Sequence, residues 1–209
     1  MARHDDTITL HIDRLAHRFG PRILFENLEL KVSPGEWLAI TGRNGSGKTT
    51  LVRILAGLTR PTRGAARLLR NGAALDAADR RRALGLVAPD IILDPELTAR
   101  ENLQFHARMR DIAIGGEQAL LDDVGLAGRA DDRVRTFSSG MRQRLKYAFA
   151  IQHAPAVLLL DEPTANLDVA GSEIVERIKT RQRETGILVV ATNDPEEAEG
   201  ATHTIRLEG

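Results

Sequence analysis

The sequence has no cysteine and few aromatic residues. Of its 209 residues none is Cys, which excludes disulfides and thiolate metal sites, and only seven are Phe, Trp or Tyr. No apolar run approaches the roughly 18 residues that a membrane-spanning helix needs; the longest are short stretches at 156–160 and 187–191. The first ten residues also lack the apolar core of a signal peptide. The absence of a membrane-spanning run and of a signal peptide predicts a protein that remains in the cytoplasm.

An excess of charge of either sign is also missing. The 29 basic and 29 acidic residues give a formal net charge of zero, so no global field attracts nucleic acid or anionic lipid, and no nucleic-acid partner is expected. The run of three arginines at 80–82 predicts a solvated turn, with a basic contact patch as the alternative. Because 42% of residues are hydrophobic, the chain can build an ordinary globular core.

Strand-like and helical patterns alternate along the chain, which predicts an α/β domain. Residues 8–19 and 24–32 alternate apolar and polar side chains, as antiparallel strands with one solvated face do. Residues 37–41 are almost continuously apolar, which indicates a strand buried on both faces. A glycine-rich turn then leads into a helical pattern at 49–58.

The middle of the chain differs because no strand pattern occurs between 89 and 135. Thr98 and Glu101 have the spacing of a capping box at a helix start. We therefore predict one domain over 1–209, with a core at 1–88 and 155–209 and a helical subdomain inserted at 89–154. The further predicted elements are helices at 116–126, 139–154 and 169–184 and strands at 157–162, 187–192 and 203–209.

A phosphate-binding loop is indicated by GRNGSGKT at residues 42–49. Glycines let successive backbone N–H groups face phosphate oxygens, and the following helix adds its positive end. Lys48 is expected to reach the β- and γ-phosphates, and the Thr49 hydroxyl to ligate Mg²⁺. A plain turn with a solvated lysine is the alternative. The candidate nucleotide contacts are Gly42, Arg43, Asn44, Gly45, Ser46, Gly47, Lys48, Thr49 and Thr50.

Two adjacent carboxylates follow the apolar run at 157–160. A strand buried on both faces carries charged groups at its carboxyl end, so Asp161 and Glu162 are expected beside the phosphate loop. Asp161 would hold Mg²⁺, and Glu162 would orient or deprotonate the attacking water. An acidic turn before a helix is the alternative.

Three further segments resemble motifs of the ABC transporter ATP-binding subunits. FSSGMRQRL at 137–145 resembles the signature motif, and its Ser138 stands 23 residues before Asp161. ANLD at 165–168 resembles the D-loop, and VVATND at 189–194 resembles the switch loop. The resemblance covers nearly the whole chain. It implies an ATPase that uses ATP and Mg²⁺, with a P-loop NTPase core, an antiparallel β subdomain and an inserted helical subdomain.

The resemblance also implies a head-to-tail dimer, homomeric or heteromeric, that holds ATP between its subunits. Ser138, Ser139 and Gly140 precede a helical run, and their hydroxyls and amides make an anion site at its N-terminus. In the family this site, with the D-loop Asp168, meets the nucleotide of the partner; a simple helix cap is the alternative. Phe19 stands where the family stacks an aromatic ring on adenine, although a core strand residue fits the position too.

Two positions depart from the family pattern. Pro89 stands where the family carries a glutamine that contacts Mg²⁺, and the neighbouring Asp90 is a candidate metal ligand in its place. Asn193 stands where the family carries a histidine, so we expect it to contact the γ-phosphate without carrying a proton. Slow hydrolysis without a histidine titration is the expected result.

The resemblance implies a separate transmembrane permease subunit docked over residues 89–110, which would place this chain on the cytoplasmic face of the membrane. Residues 35–64 resemble the small ATPase of bacterial cytochrome c maturation (haem-handling) complexes. A non-transport ABC ATPase acting on nucleic acid or ribosomes and a catalytically silent regulatory subunit are the alternatives.

Overall fold

The computed structural model of the chain describes residues 7–208. The predicted start of the domain at residue 1 and the predicted end of the last strand at Gly209 lie outside that part. Within it, the elements form an antiparallel sheet, a parallel sheet and surrounding helices, which confirms the predicted α/β class.

The antiparallel sheet has the strand order β2-β1-β4-β5. Its strands are β1 (Ile8–Phe19), β2 (Arg22–Val32), β4 (Arg63–Arg70) and β5 (Ala73–Ala74). Alternate residues of β1 are buried, as its sequence pattern predicts, and the apolar ones join the first of two apolar cores together with α1. The two strands β4 and β5 were not predicted, because RGAARLLR does not alternate cleanly between apolar and polar residues.

The parallel sheet has the order β6-β7-β8-β3-β9. Its strands are β3 (Trp37–Gly42), β6 (Leu84–Val87), β7 (Val157–Asp161), β8 (Ile187–Thr192) and β9 (His203–Leu207). Every residue of β7 and β8 is buried, which explains their continuous apolar sequences. Because the strands run in parallel, the carboxyl ends of β3, β7 and β8 meet at one edge of the sheet.

The helices are α1 (Lys48–Ala56), α2 (Ala77–Ala83), α3 (Ala99–Met109), α4 (Glu117–Asp123), α5 (Ser139–Ile151) and α6 (Val169–Thr185). The predicted capping box is present, since Glu101 N donates to Thr98 Oγ1 at 3.1 Å and Thr98 N donates to Glu101 Oε2 at 2.8 Å. Helices α3, α4 and α5 lie between β6 and β7 in the chain and share the second apolar core. Helix α5 ends at Ile151, three residues before the predicted end.

The arginine run at 80–82 does not form a solvated turn. It lies in α2, and the guanidinium group of Arg80 donates to the carbonyl oxygens of Ile54, Leu55 and Ala66. Burial lowers the pKa of Arg80. Two of its three acceptors belong to the last turn of α1, whose terminal carbonyls have no partner within the helix. Arg80 therefore completes the C-terminus of α1.

Candidate functional site

The loop at 42–49 joins the end of β3 to the start of α1, as its motif predicts. The backbone of Gly42 has φ 151°, a conformation that favours glycine. A Cβ atom at this position would lie 2.4 Å from the carbonyl oxygen of Leu207 in β9. The loop therefore needs glycine where it leaves the sheet.

Lys48 is only 6% exposed, so the alternative of a solvated lysine is wrong. Its Nζ donates to the carbonyl oxygen of Gly42 at 2.9 Å and to that of Arg43 at 3.4 Å. It also lies 3.2 Å from Oε1 of Glu162. The structure therefore brings together the lysine and one of the two carboxylates that the sequence analysis selected.

Asp161 ends β7 and is 2% exposed. Within residues 7–208 neither of its carboxylate oxygens has a hydrogen-bond partner of normal geometry. Burial raises the pKa of Asp161; the nearby Thr49 hydroxyl and Lys48 ammonium oppose that rise, and the Glu162 and Asp90 charges add to it. Ionisation at this position remains costly despite Lys48, and a further cation bound beside the carboxylate would offset that cost.

The arrangement fits a Mg²⁺ ion. Mg²⁺ prefers oxygen ligands and binds proteins through one or two carboxylates together with substrate phosphates and water. The unpartnered oxygens of Asp161 and the exposed hydroxyl of Thr49 supply such ligands. No group of three or more His, Cys, Asp or Glu side chains that could hold a metal occurs among the described residues, so an all-protein metal cage is absent from that part.

Glu162 directly follows β7 in an unusual backbone conformation. Its φ is 51°, in the left-handed region that non-glycine residues rarely adopt, and its N–H donates to the carbonyl of Ala191 in β8 at 2.8 Å. The next residue, Pro163, accepts a hydrogen bond of 2.7 Å from the buried Tyr147 hydroxyl in α5. Strained conformations persist where surrounding contacts hold them, and they concentrate at active sites.

A cavity of about 510 Å³ lies over the phosphate loop. Phe19 lines it with 59% of its surface exposed, which does not fit a core strand residue. Its stacking on adenine stays a prediction. Arg22 also lines the cavity and donates to the carbonyl of Gly45 at 3.0 Å. Sequence reasoning missed Arg22 because no motif marks it; its contact depends on how β2 packs over the loop.

Asn193 follows β8 and reaches the phosphate loop. Its Nδ2 donates to Oδ1 of Asn44 at 3.3 Å. The backbone turn is held by Asp194, whose N–H donates to the Thr192 hydroxyl at 3.0 Å. The switch-loop residue and the phosphate loop are therefore neighbours, and the contact of Asn193 with a γ-phosphate stays a prediction.

Asp90, the candidate metal ligand in place of the family's glutamine, forms an ion pair with an arginine side chain. The arginine is Arg53 of α1, whose Nε lies 3.1 Å from Oδ2. Lys146 of α5 holds the adjoining backbone by donating to the carbonyls of Ala88 at 3.2 Å and Pro89 at 3.0 Å. Mg²⁺ ligation by Asp90 would have to compete with Arg53 and stays a prediction.

The signature segment lies apart from the loop cavity. Ser138 caps α5 by accepting from Met141 N at 3.2 Å, and Asp168 caps α6 by accepting from Gly171 N at 2.9 Å. A Cβ at Gly140 would lie 3.2 Å from the carbonyl oxygen of Asn166 in the D-loop segment. None of Ser138, Ser139, Gly140 and Asp168 lines the cavity that contains Lys48. The helix-cap roles of Ser138 and Asp168 are therefore observed.

The fold and the phosphate loop define a P-loop nucleotide-binding domain with a helical insert, and comparisons with known proteins give its family. The sequence model described as ABC transporter matches residues 25–165. The chain belongs to the ABC transporter family, as a domain of the ABC ATPase type.

Curated relatives include transport proteins of both directions. The chain is 39% identical over 200 residues to an aliphatic sulfonates import ATP-binding protein of Burkholderia cenocepacia (strain HI2424), which covers 93% of this chain and 58% of the relative. It is 33% identical over 201 residues to the Nod factor export ATP-binding protein I of Burkholderia thailandensis, covering 94% of this chain and 66% of the relative. The chain thus spans less than two thirds of the length of these relatives.

Solved structures agree on the fold. An ATP-binding subunit of an ABC transporter superposes with a TM-score of 0.83 at 25% identity, covering 95% of this chain and 85% of that one. An ATP-binding cassette solved as a dimer in a post-hydrolysis state, bound to ADP and phosphate, gives a TM-score of 0.81 at 27% identity, covering 95% of this chain and 94% of that one.

Proposed function

We propose that this chain binds ATP with Mg²⁺ and hydrolyses it as the energy-supplying subunit of an ABC transporter. The observation that carries the proposal is the arrangement at the sheet edge. The Nζ atom of buried Lys48 lies 3.2 Å from Glu162 Oε1. Asp161, whose carboxylate has no hydrogen-bond partner among the described residues, is the last residue of β7 and directly precedes Glu162.

The Lys48 ammonium group donates hydrogen bonds to two loop carbonyls and forms an ion pair with the Glu162 carboxylate. Binding of the β- and γ-phosphates requires Lys48 to exchange some of these partners for phosphate oxygens. The exchange frees Glu162, which is then able to orient the attacking water and accept its proton. The contacts of the Glu162 carboxylate would therefore depend on whether a nucleotide is bound.

The Mg²⁺ ion would be held by the Asp161 carboxylate and the Thr49 hydroxyl. It would supply positive charge that neutralises the charge developing on the phosphate oxygens. Asn193, positioned by Asn44, is expected to donate a hydrogen bond to the γ-phosphate. An amide cannot be protonated near neutral pH, so this contact carries no titration.

Two copies of the chain are proposed to act as a head-to-tail dimer. The signature residues Ser138, Ser139 and Gly140 do not line the cavity of their own chain, whereas their place at the start of α5 suits an anion. A dimer would bring them, with Asp168, to the nucleotide on the partner. The similar cassette that was solved as a dimer with ADP and phosphate supports this arrangement. We propose the same domain division as above, with the core at 1–88 and 155–209 and the helical part at 89–154.

The partner that ATP hydrolysis drives is proposed to be a separate permease subunit, bound over residues 89–110. Such a partner would hold the chain at the cytoplasmic face of the membrane. Among residues 7–208 no helix is both long and apolar enough to cross a membrane. The names of the relatives, an importer and an exporter subunit, support transport in general. A role in haem handling rests on the resemblance of residues 35–64 and stays a prediction.

The test measures Mg²⁺-dependent ATP hydrolysis by the purified chain and the size of its ATP complex by gel filtration. Glu162→Gln is expected to reduce kcat by about 10²-fold or more and to trap a dimer with ATP and Mg²⁺. The matched control Glu173→Gln, on the exposed face of α6, should behave like the wild type. Absence of hydrolysis in the wild type, or a monomer in every nucleotide state, would overturn the proposal.

The permease is tested by affinity purification of the tagged chain from membranes. Recovery of a multi-span membrane protein supports the proposal. Recovery of ribosomes or nucleic acid in its place would favour the non-transport alternative.

A further inference from the structure

The antiparallel sheet contains a second cavity, separate from the one over the phosphate loop. Its volume is about 550 Å³, within the range of small-molecule sites, roughly 300–1,000 Å³. None of its lining residues lines the cavity of Lys48. The ones that matter here are Arg14, His17, Arg18, Ile23, Phe25 and Arg63.

The cavity lies where the pairing of β1 is irregular. The register between β1 and β2 shifts on both sides of His17, and Arg14 has a left-handed backbone with φ 40°. Such bulges bend a strand and re-aim its side chains. A Cβ at Gly64 of β4 would lie 2.2 Å from the carbonyl oxygen of Arg14, so glycine is needed for β4 to approach the bulge. The opening is therefore part of the sheet geometry.

His17 is a buried polar side chain in the wall of this cavity. It is 8% exposed, and within residues 7–208 neither ring nitrogen has a hydrogen-bond partner. Its ring lies 6.3 Å from that of Phe25 and 4.9 Å, edge to face, from that of Phe19. A buried polar group without a partner lowers stability, and a phenyl ring would suit these aromatic neighbours without that cost. Rotation about the Cβ–Cγ bond of histidine is soft, so a nitrogen can turn towards the cavity.

The charge of the lining is positive. The lining contains three arginines and one acidic residue, Glu26. Arg14 pairs with the exposed Asp13 at 3.2 Å, whereas the guanidinium groups of Arg18 and Arg63 have no ion pair or hydrogen bond to any described residue. Planar guanidinium groups match carboxylates and similar oxyanions. Arg18 and Arg63, which have no partner for their charge in the described part of the chain, line the same cavity as the imidazole of His17, and together they favour an anionic ligand.

We propose that this cavity binds a small organic anion with a flat apolar body. The body packs against Ile23 and Phe25, the anionic group pairs with Arg18 and Arg63, and His17 supplies a hydrogen bond. Because the His17 ring contacts Phe19, occupation of the site also alters the wall of the phosphate-loop cavity. That last link rests on the proposed function, whereas the binding site itself does not.

The first experiment titrates the full chain with benzoate and with its neutral analogue benzamide, by calorimetry and by the imidazole NMR signals of His17. Benzoate is expected to bind saturably with about millimolar affinity, as suits a fragment of this size, and benzamide to bind at least about tenfold more weakly. Arg18→Gln and Arg63→Gln should each weaken benzoate binding at least about tenfold. Arg67→Gln, on the same strand as Arg63 but outside the cavity, is the matched control. No saturable shift of the His17 signals, or equal weakening by Arg67→Gln, would overturn the proposal.

The second experiment uses His17→Phe, which keeps a ring and removes both nitrogens. It is expected to abolish benzoate binding and to raise the midpoint of thermal unfolding, since an unpartnered polar group is removed. A lower midpoint would mean that His17 has a structural role, which contradicts the proposal. Benzoate should also change the affinity for ATP in the wild type and not in His17→Phe. An unchanged ATP affinity with intact benzoate binding would refute the link alone, and failure to bind ATP at all would refute the proposed function alone.

Discussion

The Tyr147 hydroxyl donates a hydrogen bond of 2.7 Å to the backbone carbonyl of Pro163. Tyr147 is fully buried in α5, the helix that Ser138 caps, and Pro163 follows Glu162. Burial raises the pKa of Tyr147 well above its ordinary value, so the hydroxyl keeps its proton and remains a donor. The signature helix is thus joined directly to the turn that carries the proposed catalytic carboxylate.

Tyr147→Phe should weaken that junction. The buried carbonyl of Pro163 would lose its partner, and the free energy of unfolding should fall by about 1–2 kcal/mol. Displacement of Glu162 should lower kcat for ATP hydrolysis while leaving KM nearly unchanged, because Lys48 and the loop remain. Urea denaturation and steady-state kinetics measure the two effects. An unchanged free energy of unfolding would show that this hydrogen bond contributes no net stability.

Asp161→Asn should stabilise the nucleotide-free protein. Because burial raises the pKa of Asp161, the folded state binds its proton more tightly than the unfolded state does. The associated stabilisation is present at low pH and is lost as the pH rises through the folded pKa. At pH 7 in EDTA the variant should therefore be more stable by about 1 kcal/mol.

The difference between Asp161→Asn and wild type should shrink as the pH falls, since the wild-type carboxyl then becomes neutral too. With ATP and Mg²⁺ the wild type should become the more stable protein, because a bound cation stabilises the Asp161 carboxylate and has no such effect on the asparagine. Denaturation curves at several pH values measure this. A variant that is less stable than wild type at pH 7 without nucleotide would contradict the unpartnered state of Asp161.

Asn193→His should introduce a titration that the wild type lacks. The contact of Asn193 with Asn44 places position 193 at the phosphate loop, where a histidine could donate to the γ-phosphate and change its charge near neutral pH. We expect kcat to rise by about tenfold and to become pH-dependent between about pH 6 and 8. Rate measurements across that range test this. Identical rates and profiles would show that position 193 does not contact the γ-phosphate.

Two half-buried histidines predict acid sensitivity of the helical part. Burial, followed by the charge of Arg110, lowers the pKa of His106 and of His153 to about 4. The neutral ring of His106 stacks on Phe149 at 4.0 Å, and its Nδ1 lies 2.6 Å from Gln152 Nε2. In the unfolded chain histidine binds its proton near pH 6.5, so the unfolded state takes up protons first as the pH falls.

The free energy of unfolding should therefore decrease as the pH is lowered from about 6.5 towards 4. The double variant His106→Gln, His153→Gln should show a shallower decrease, while between pH 7 and 8 both proteins should show little change from this cause. Guanidinium denaturation at each pH measures the slope. Equal slopes in the two proteins would contradict the lowered pKa values.

Sequence reasoning predicted the site where the chemistry is contiguous in the chain. The loop from Gly42 to Thr49 and the pair Asp161 and Glu162 each occupy one short segment whose apolar flanks indicate a buried strand. The strand β6 and the helix α2 were missed, because four apolar residues and a seven-residue helix give too short a pattern to separate from a loop. Arg80 was misread since its acceptors lie far away in the chain, in α1 and β4.

The amino-acid order alone determined which chemical groups the site contains, because glycine torsions, helix starts and buried strands depend on neighbouring residues. Only the tertiary structure decided which groups meet. The order β6-β7-β8-β3-β9 places β7 and β3 on either side of β8, so Glu162 reaches Lys48 and Asn193 reaches Asn44 across the sheet edge. The tertiary structure also decided that His17, at the irregular pairing of β1, lines one cavity with Arg18 and Arg63. Such contacts join residues distant in the chain, and they depend on strand order and packing, which no local pattern encodes.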